Sequence, residues 1–177
     1  LLIRTLVALL VALFVGTGAA GQWQNWILFT HAVPFKRSDP VFGRDLSFFV
    51  FRLPFLSFLV DWLFVMVLVA LVLSVLAYFL NGAIRLHGEQ KIEPRALAHL
   101  SLLAGLLALE RAWAYYYVDR FTLEVSANGY VRGAGYTDVH VRLPAMTLLA
   151  IVSLGAFVLL VFNAYRRSLS LPAIAGR

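Results

Sequence analysis

Cysteine is absent from this 177-residue chain, which excludes disulfides, thiolate metal sites and a cysteine nucleophile and leaves the redox compartment open. Charge is also scarce: Asp, Glu, Lys and Arg make up 14% of the residues against 62% hydrophobic ones, and the mean hydropathy is +0.84. Soluble domains carry about a quarter charged residues, so this composition belongs in a bilayer. Acid is the scarcer sign, with 9 Asp+Glu against 15 Lys+Arg. The basic residues stand singly or in pairs between apolar runs, which argues against a nucleic-acid footprint and makes membrane lipids with anionic headgroups the expected counter-charge. There is no serine elbow, no phosphate loop and no dinucleotide fingerprint in a strand-and-helix context, so neither catalytic residues nor a cofactor is expected.

What the chain has is long uncharged runs. Thr5 to Phe35, Leu63 to Ile84 and Leu143 to Tyr165 contain no Asp, Glu, Lys or Arg. About 20 such residues, rising 1.5 Å each, cross a hydrocarbon layer of about 30 Å. A fourth run, Ala96 to Leu109, is short and reaches across only by carrying Glu110 and Arg111 into the outer part of the membrane. The expected fold is therefore all-α and integral to the membrane: a four-span transmembrane helical bundle with spans at about 5–28, 55–82, 96–118 and 143–165. Leu169 to Ala175 reads as the start of a further span at about 169–177, and a chain beginning at Leu1 is expected to be a piece of a longer protein.

Orientation follows from the density of positive charge. Arg4, Arg85, Lys91, Arg95, Arg166, Arg167 and Arg177 fall in short segments, including an inner loop at about 83–95. Lys36, Arg37, Arg44, Arg52, Arg120, Arg132 and Arg142 are spread through two longer outer loops, about 29–54 and 119–142. The denser side is expected to be cytoplasmic, which puts both ends there. Trp23, Trp26, Trp62, Trp113, Tyr115, Tyr116 and Tyr117 mark the opposite boundary as an aromatic belt.

The outer loops hold the remaining structure. Asp39-Pro40 reads as an N-cap and first-turn proline, followed by Phe42, Leu46, Phe49, Val50 and Leu53 at helical spacing. This predicts an amphipathic helix along the interface that stops before Pro54. Asn128-Gly129 marks a turn and Gly133-Ala134-Gly135 a flexible stretch. Tyr136 to Arg142 alternates as a short extended segment would, with Asp138, His140 and Arg142 on one face.

Asp61, Glu110 and Arg111 are the charges nearest the spans. An unpaired charge deep in a membrane costs about 2.5 to 3.5 kcal/mol, so pairing is expected. Arg111 is expected to meet Asp61, and Glu110, about 100° round the helix, to find Arg120 or a tyrosine hydroxyl. The pattern suits a packing ion pair better than a proton or ion relay. His31, Asp39, Asp138 and His140 are the only outer His and carboxylate groups that resemble a ligand set, and their separation fixes no metal geometry. Ala12, Gly16 and Ala20, and Ala104, Ala108 and Ala112, recur every fourth residue as helix-contact seams.

The loop phrases are distinctive. Asp39-Pro40-Val41-Phe42-Gly43-Arg44-Asp45-Leu46-Ser47-Phe48-Phe49-Val50-Phe51-Arg52-Leu53-Pro54-Phe55, the pair Arg120-Phe121, Gly133-Ala134-Gly135-Tyr136-Thr137-Asp138-Val139-His140, and Leu143-Pro144-Ala145 resemble the large bacterial membrane proteins of the uncharacterised protein family UPF0182. The resemblance covers nearly the whole chain and departs at His140 and Arg142. It implies a plasma-membrane protein with about seven N-terminal spans and a large extracytoplasmic region, common in actinobacteria, of which this chain holds four interior spans. It implies architecture and no activity. The expected function is an anchor that positions the exported region, with Asp39, Arg44, Asp45, Arg52, Tyr136, Thr137, Asp138, His140 and Arg142 forming the docking surface. The alternative is a transporter or lipid-handling protein with a polar path near Asp61, Glu110 and Arg111. Expected partners are lipids, the rest of the same chain and other membrane subunits.

Overall fold

The computed structural model describes the backbone of residues 2–84, 92–125, 127–128 and 131–174, with the side chains of 2–4, 7, 8, 10, 14, 127, 128, 131, 132 and 167–174 outside the description. Most of the inner loop, Gly129 of the expected turn and the last three residues of the expected further span thus lie outside it.

Helices dominate. They are α1 (Leu2–Ala20), α2 (Trp23–Thr30), α3 (Leu53–Leu80), α4 (Pro94–Ala114), α5 (Arg120–Val125) and α6 (Leu143–Ile174), with a two-stranded hairpin of β1 (Ala127–Asn128) and β2 (Val131–Arg132). The hairpin pairs antiparallel, Ala127 opposite Arg132. Three continuous helical stretches, Phe48–Leu80, Pro94–Val125 and Asp138–Arg166, are long and apolar enough to cross a membrane. Their apolar side chains point outward, Val152 and Leu159 being about two-thirds exposed, which is stable only in a solvent as apolar as themselves. The run expected as one first span is two helices, broken at Gly21-Gln22. α6 continues through Arg166 to Ile174, so its helix includes residues read from sequence as a connection and the start of another span.

Each long stretch contains a five-residue π-helical turn: Phe48–Arg52 ahead of α3, Tyr115–Asp119 between α4 and α5, and Asp138–Arg142 ahead of α6. Two of the three precede a Leu-Pro pair. In an unbroken α-helix the ring of Pro54 would strike the carbonyl of Val50 and leave it without a donor. The π turn replaces that ladder with wider bonds, Leu53 N–H to the Phe48 carbonyl and Leu143 N–H to the Asp138 carbonyl. This corrects two expectations. The helix does not stop before Pro54 but runs through it, and residues 136–142 are helical rather than extended.

The chain divides into two compact units, Leu1–Trp62 with Tyr117–Met146, and Leu63–Tyr116 with Thr147–Arg177. In the second, α4 and α6 run antiparallel with Gly105 against Leu160, Phe157 and Val161, and Asn163 Nδ2 donates to Ser101 Oγ at 3.1 Å. The seam on α4 is therefore centred on Ser101 and Gly105, with Ala112 buried and Ala104 and Ala108 half-buried; a Cβ added at Gly16 on α1 would meet nothing within 4 Å among the described residues. A Cβ at Gly105 would sit 3.5 Å from Leu160 Cβ, an ordinary contact. Gly105→Ala is expected to be nearly neutral and Gly105→Leu to cost about 1 to 3 kcal/mol, read as a fall in the thermal midpoint of the detergent-solubilised protein. Gly82, at φ +73°, ends α3 by turning its own N–H back to Phe79 and that of Ala83 to Tyr78.

Candidate functional site

The motif-bearing loops all belong to the first unit, and the structure ties them together. Asp39 does not begin a helix. Its Oδ1 accepts from the amides of Val41 and Phe42 at 3.0 and 2.6 Å, its carbonyl accepts from Gly43 N–H, and its own amide donates to Arg44. The result is a closed Asx turn, with Gly43 at φ +63° where a side chain would be strained. The helix begins seven residues later, at Leu46, and Asp45 caps it: Oδ1 accepts from Ser47 N–H at 2.8 Å and, from across the loop, from Phe35 N–H at 3.0 Å.

These donors set the chemistry of Asp45. The Ser47 hydroxyl and then its amide, with the Phe35 and Lys36 amides behind them, lower its pKa from 3.8 to about 2. A lowered carboxylate pKa adds stability that is complete above the unfolded value and is lost as pH falls through the folded one. The loop is therefore expected to loosen between about pH 4 and pH 2, with the Asp45 carboxyl titrating near 2 by carbon-13 NMR and Asp45→Asn abolishing that step.

Phe121 is the hub of the unit. Its ring stands 5.1 Å from Phe48, 5.5 Å from Phe42 and 6.3 Å from Phe49, and the guanidinium carbons of Arg120 and Arg44 lie over it at 5.1 and 5.5 Å. Three residues on, Glu124 Oε2 accepts from Ala134 N–H at 3.3 Å, tying α5 to the glycine-bearing segment. Gly133, at φ +125°, makes the approach possible. Asp138, almost fully buried, accepts from Gly135 N–H at 3.0 Å and holds Arg142 Nη1 at 2.9 Å. Asp138 and Arg142 meet because they are one helical turn apart, not because alternate residues share a strand face. His140 leaves that face. Its Nδ1 donates to the Tyr136 carbonyl, which can only accept, and its ring stacks on Tyr136 at 4.1 Å. Thr137 and Arg52 are exposed at the starts of their helices.

The expected outer His and carboxylate groups do not converge on a metal. His31 bonds Thr30 and the Ile27 carbonyl, while Asp39, Asp138 and His140 have the partners just described. Among the described residues no group of three or more such side chains is placed to hold an ion.

Of the span charges, Asp61 is on the part of α3 that belongs to the first unit; Glu110 and Arg111 belong to the second. There Arg111 forms a two-pronged bond to its own neighbour, Nε to Oε2 at 2.8 Å and Nη2 to Oε1 at 3.1 Å, with its guanidinium over Phe64 at 4.2 Å. Glu110 thus takes Arg111, a pairing the sequence reading did not expect, because two long side chains easily close a 100° offset where water is scarce. Sequence reasoning missed this pair, the Phe121 hub and the Glu124 tie. Only the hub had a signal, the dense phenylalanines of 42–51. An apolar groove of about 350 Å³, lined by Trp23, Trp26, Phe55, Phe58 and Trp62, completes the first unit, and Trp62 Nε1 donates to the Val15 carbonyl of α1 at 3.2 Å.

The family model of UPF0182, described as an uncharacterised protein family, matches residues 1–176. The UPF0182 protein of Frankia alni is 42% identical over 176 residues, which are 99% of this chain and 17% of that protein. That of Frankia casuarinae is 42% identical over 177 residues, again 99% and 17%, and that of Geobacter sp. (strain M21) 38% over 162, or 91% and 18%. The chain therefore spans less than a fifth of the length of these relatives. No solved structure matches it. Its helices are those of a membrane protein, its loop phrases fold into one stitched unit, and its match is almost end to end: the chain belongs to the uncharacterised protein family UPF0182.

Proposed function

We propose that this chain is a four-crossing domain of the bacterial plasma membrane that anchors and positions a large extracytoplasmic region. In this reading α1, 19 residues or about 28 Å long, supplies a crossing before the three long ones, and both ends face the cytoplasm. The observation that carries it is the use to which the motif residues are put. Asp39, Asp45, Glu124 and Asp138 hold backbone amides, and Phe42, Phe48, Phe49 and Phe121 hold one another. Such residues build a rigid platform rather than a set of reacting groups. The much greater length of the relatives supports a large remainder for that platform to carry.

The competing function, transport or lipid handling along a polar path near Asp61, Glu110 and Arg111, has less support. Glu110 and Arg111 bond each other twice under the Phe64 ring, as a packing pair would.

The lack of native cysteine in this region makes a labelling test direct. Tyr136, 79% exposed, is replaced by cysteine in the full-length protein cleared of other thiols, and Arg95, also exposed, in a second variant. A membrane-impermeant maleimide added to intact cells is expected to label Tyr136→Cys at once and Arg95→Cys only after permeabilisation. The reverse pattern would invert the orientation, and labelling of both from outside would remove the crossing between them.

A further inference from the structure

The two Leu-Pro helix starts are built alike, and each carries an arginine at the same place. Arg52 and Arg142 are the fifth residues of their π turns, directly before Leu53-Pro54 and Leu143-Pro144. Both are exposed, and both stand within the first turns of stretches long enough to cross a bilayer. An outward-facing apolar side chain lies within two residues of each, Val50 at 53% and Val141 at 59% exposure. At the start of a span whose surface is apolar, an exposed arginine lays its stem along hydrocarbon and its head among phosphates.

The electrostatics of the loops point the same way. Asp39, Asp45, Glu124 and Asp138 turn carboxylate oxygens onto backbone amides, while Lys36, Arg37 and Arg44 stay exposed. Asp138 also takes one nitrogen of Arg142, but the Arg142 side chain remains 57% exposed and its other N–H groups are available. The surface around both helix starts is left with an excess of positive charge.

We infer that Arg52 and Arg142 form a matched pair of sites for the phosphate of anionic phospholipid headgroups in the leaflet on the loop side. The π turn is the device that sets the site. It fixes the arginine on the outward face one residue before the Leu-Pro pair, where a guanidinium can grip a phosphodiester with two N–H groups. The exposed valines favour a lipid over a soluble acidic protein. The inference rests on these helices crossing the bilayer and not on which side is cytoplasmic.

The test uses the full-length protein, delipidated in detergent and titrated with phosphatidylglycerol or phosphatidylcholine under native mass spectrometry. Phosphatidylglycerol is expected to be retained preferentially. Arg52→Gln and Arg142→Gln are each expected to weaken retention at their own site about fivefold, with the lysine variants intermediate because they keep the charge and lose the fork. Arg142→Gln also opens the Asp138 pair and can loosen its turn, so Arg52→Gln, whose arginine makes no ion pair among the described residues, is decisive alone. Retention of phosphatidylglycerol by Arg52→Gln equal to wild type would overturn the inference, as would its displacement by millimolar inorganic phosphate, which would mark a site for the free ion. A photo-cross-linker at Val50 or Val141 is expected to give lipid adducts. Adducts with the protein's own exported region would overturn the lipid assignment, and a lipid adduct at mid-span Val152 without one at Val50 would do so while leaving the crossing intact.

Discussion

Phe121→Ala is expected to cost about 3 to 5 kcal/mol, the largest effect of any single truncation in the loops. The ring is buried and serves three other phenylalanines and two guanidinium groups, so removing it deletes contacts on every side rather than along one face. The neighbours are poorly placed to collapse into the space. Phe48 and Phe49 are fixed in the π turn, and Phe42 is held by the hydrogen bond its N–H donates to Asp39 Oδ1. The loss is read as a lower thermal midpoint and reduced abundance in the membrane. Phe121→Leu, which keeps much of the volume, is expected to lose less than half as much; equal loss from both would mean that ring geometry, not buried volume, sets the stability.

Arg111→Met is expected to cost a similar amount, about 3 to 5 kcal/mol, for a different reason. The methionine fills the space, so no cavity opens, but the Glu110 carboxylate is left largely enclosed without the two N–H groups that hold it. Arg111→Lys keeps the charge and loses both the fork and the flat stacking on Phe64, and an intermediate loss is expected. Thermal midpoints of the three proteins at one pH and one salt concentration decide the matter. A methionine variant as stable as wild type would show that the pair contributes nothing to folding and would revive a role for these charges in moving a solute.

The spans were legible because lipid demands long uncharged stretches, and Leu63 to Ile84 and Leu143 to Tyr165 have no other reading. The joints between span and loop were not. Asp-Pro is equally the start of a helix and the start of an Asx turn, and what decides it here is Gly43, four residues on, in a conformation that ends the turn. Asp45, which does cap the helix, precedes no proline and looked like a surface charge. The stretch Tyr136 to Arg142 alternates with a period of two, yet Asp138 and Arg142 are also one helical turn apart, and the buried carboxylate selects the helix. The π turns leave no pattern in composition. Only the prolines at 54 and 144 show where a regular ladder would fail, and Tyr115–Asp119 lacks even that. The wiring of the loops was illegible: Asp39, Asp45 and Asp138, read from sequence only as members of a docking face, each hold backbone amides in the fold.

The π turns also fix where these helices can accommodate a change in chain length and where they cannot. A wide turn contains one residue more than an α-turn, so the distance from Asp45 to Pro54, and from Asp138 to Pro144, is counted residue by residue. Losing one residue there would restore a tight ladder and keep the downstream span in phase, but would set the proline ring against a carbonyl of the preceding turn, whereas losing one in the regular part of the span would swing everything downstream through about 100°. Outside that turn an insertion or deletion acts on the membrane helix as a shift of reading frame acts on a message, and its effects would surface far from the altered residue.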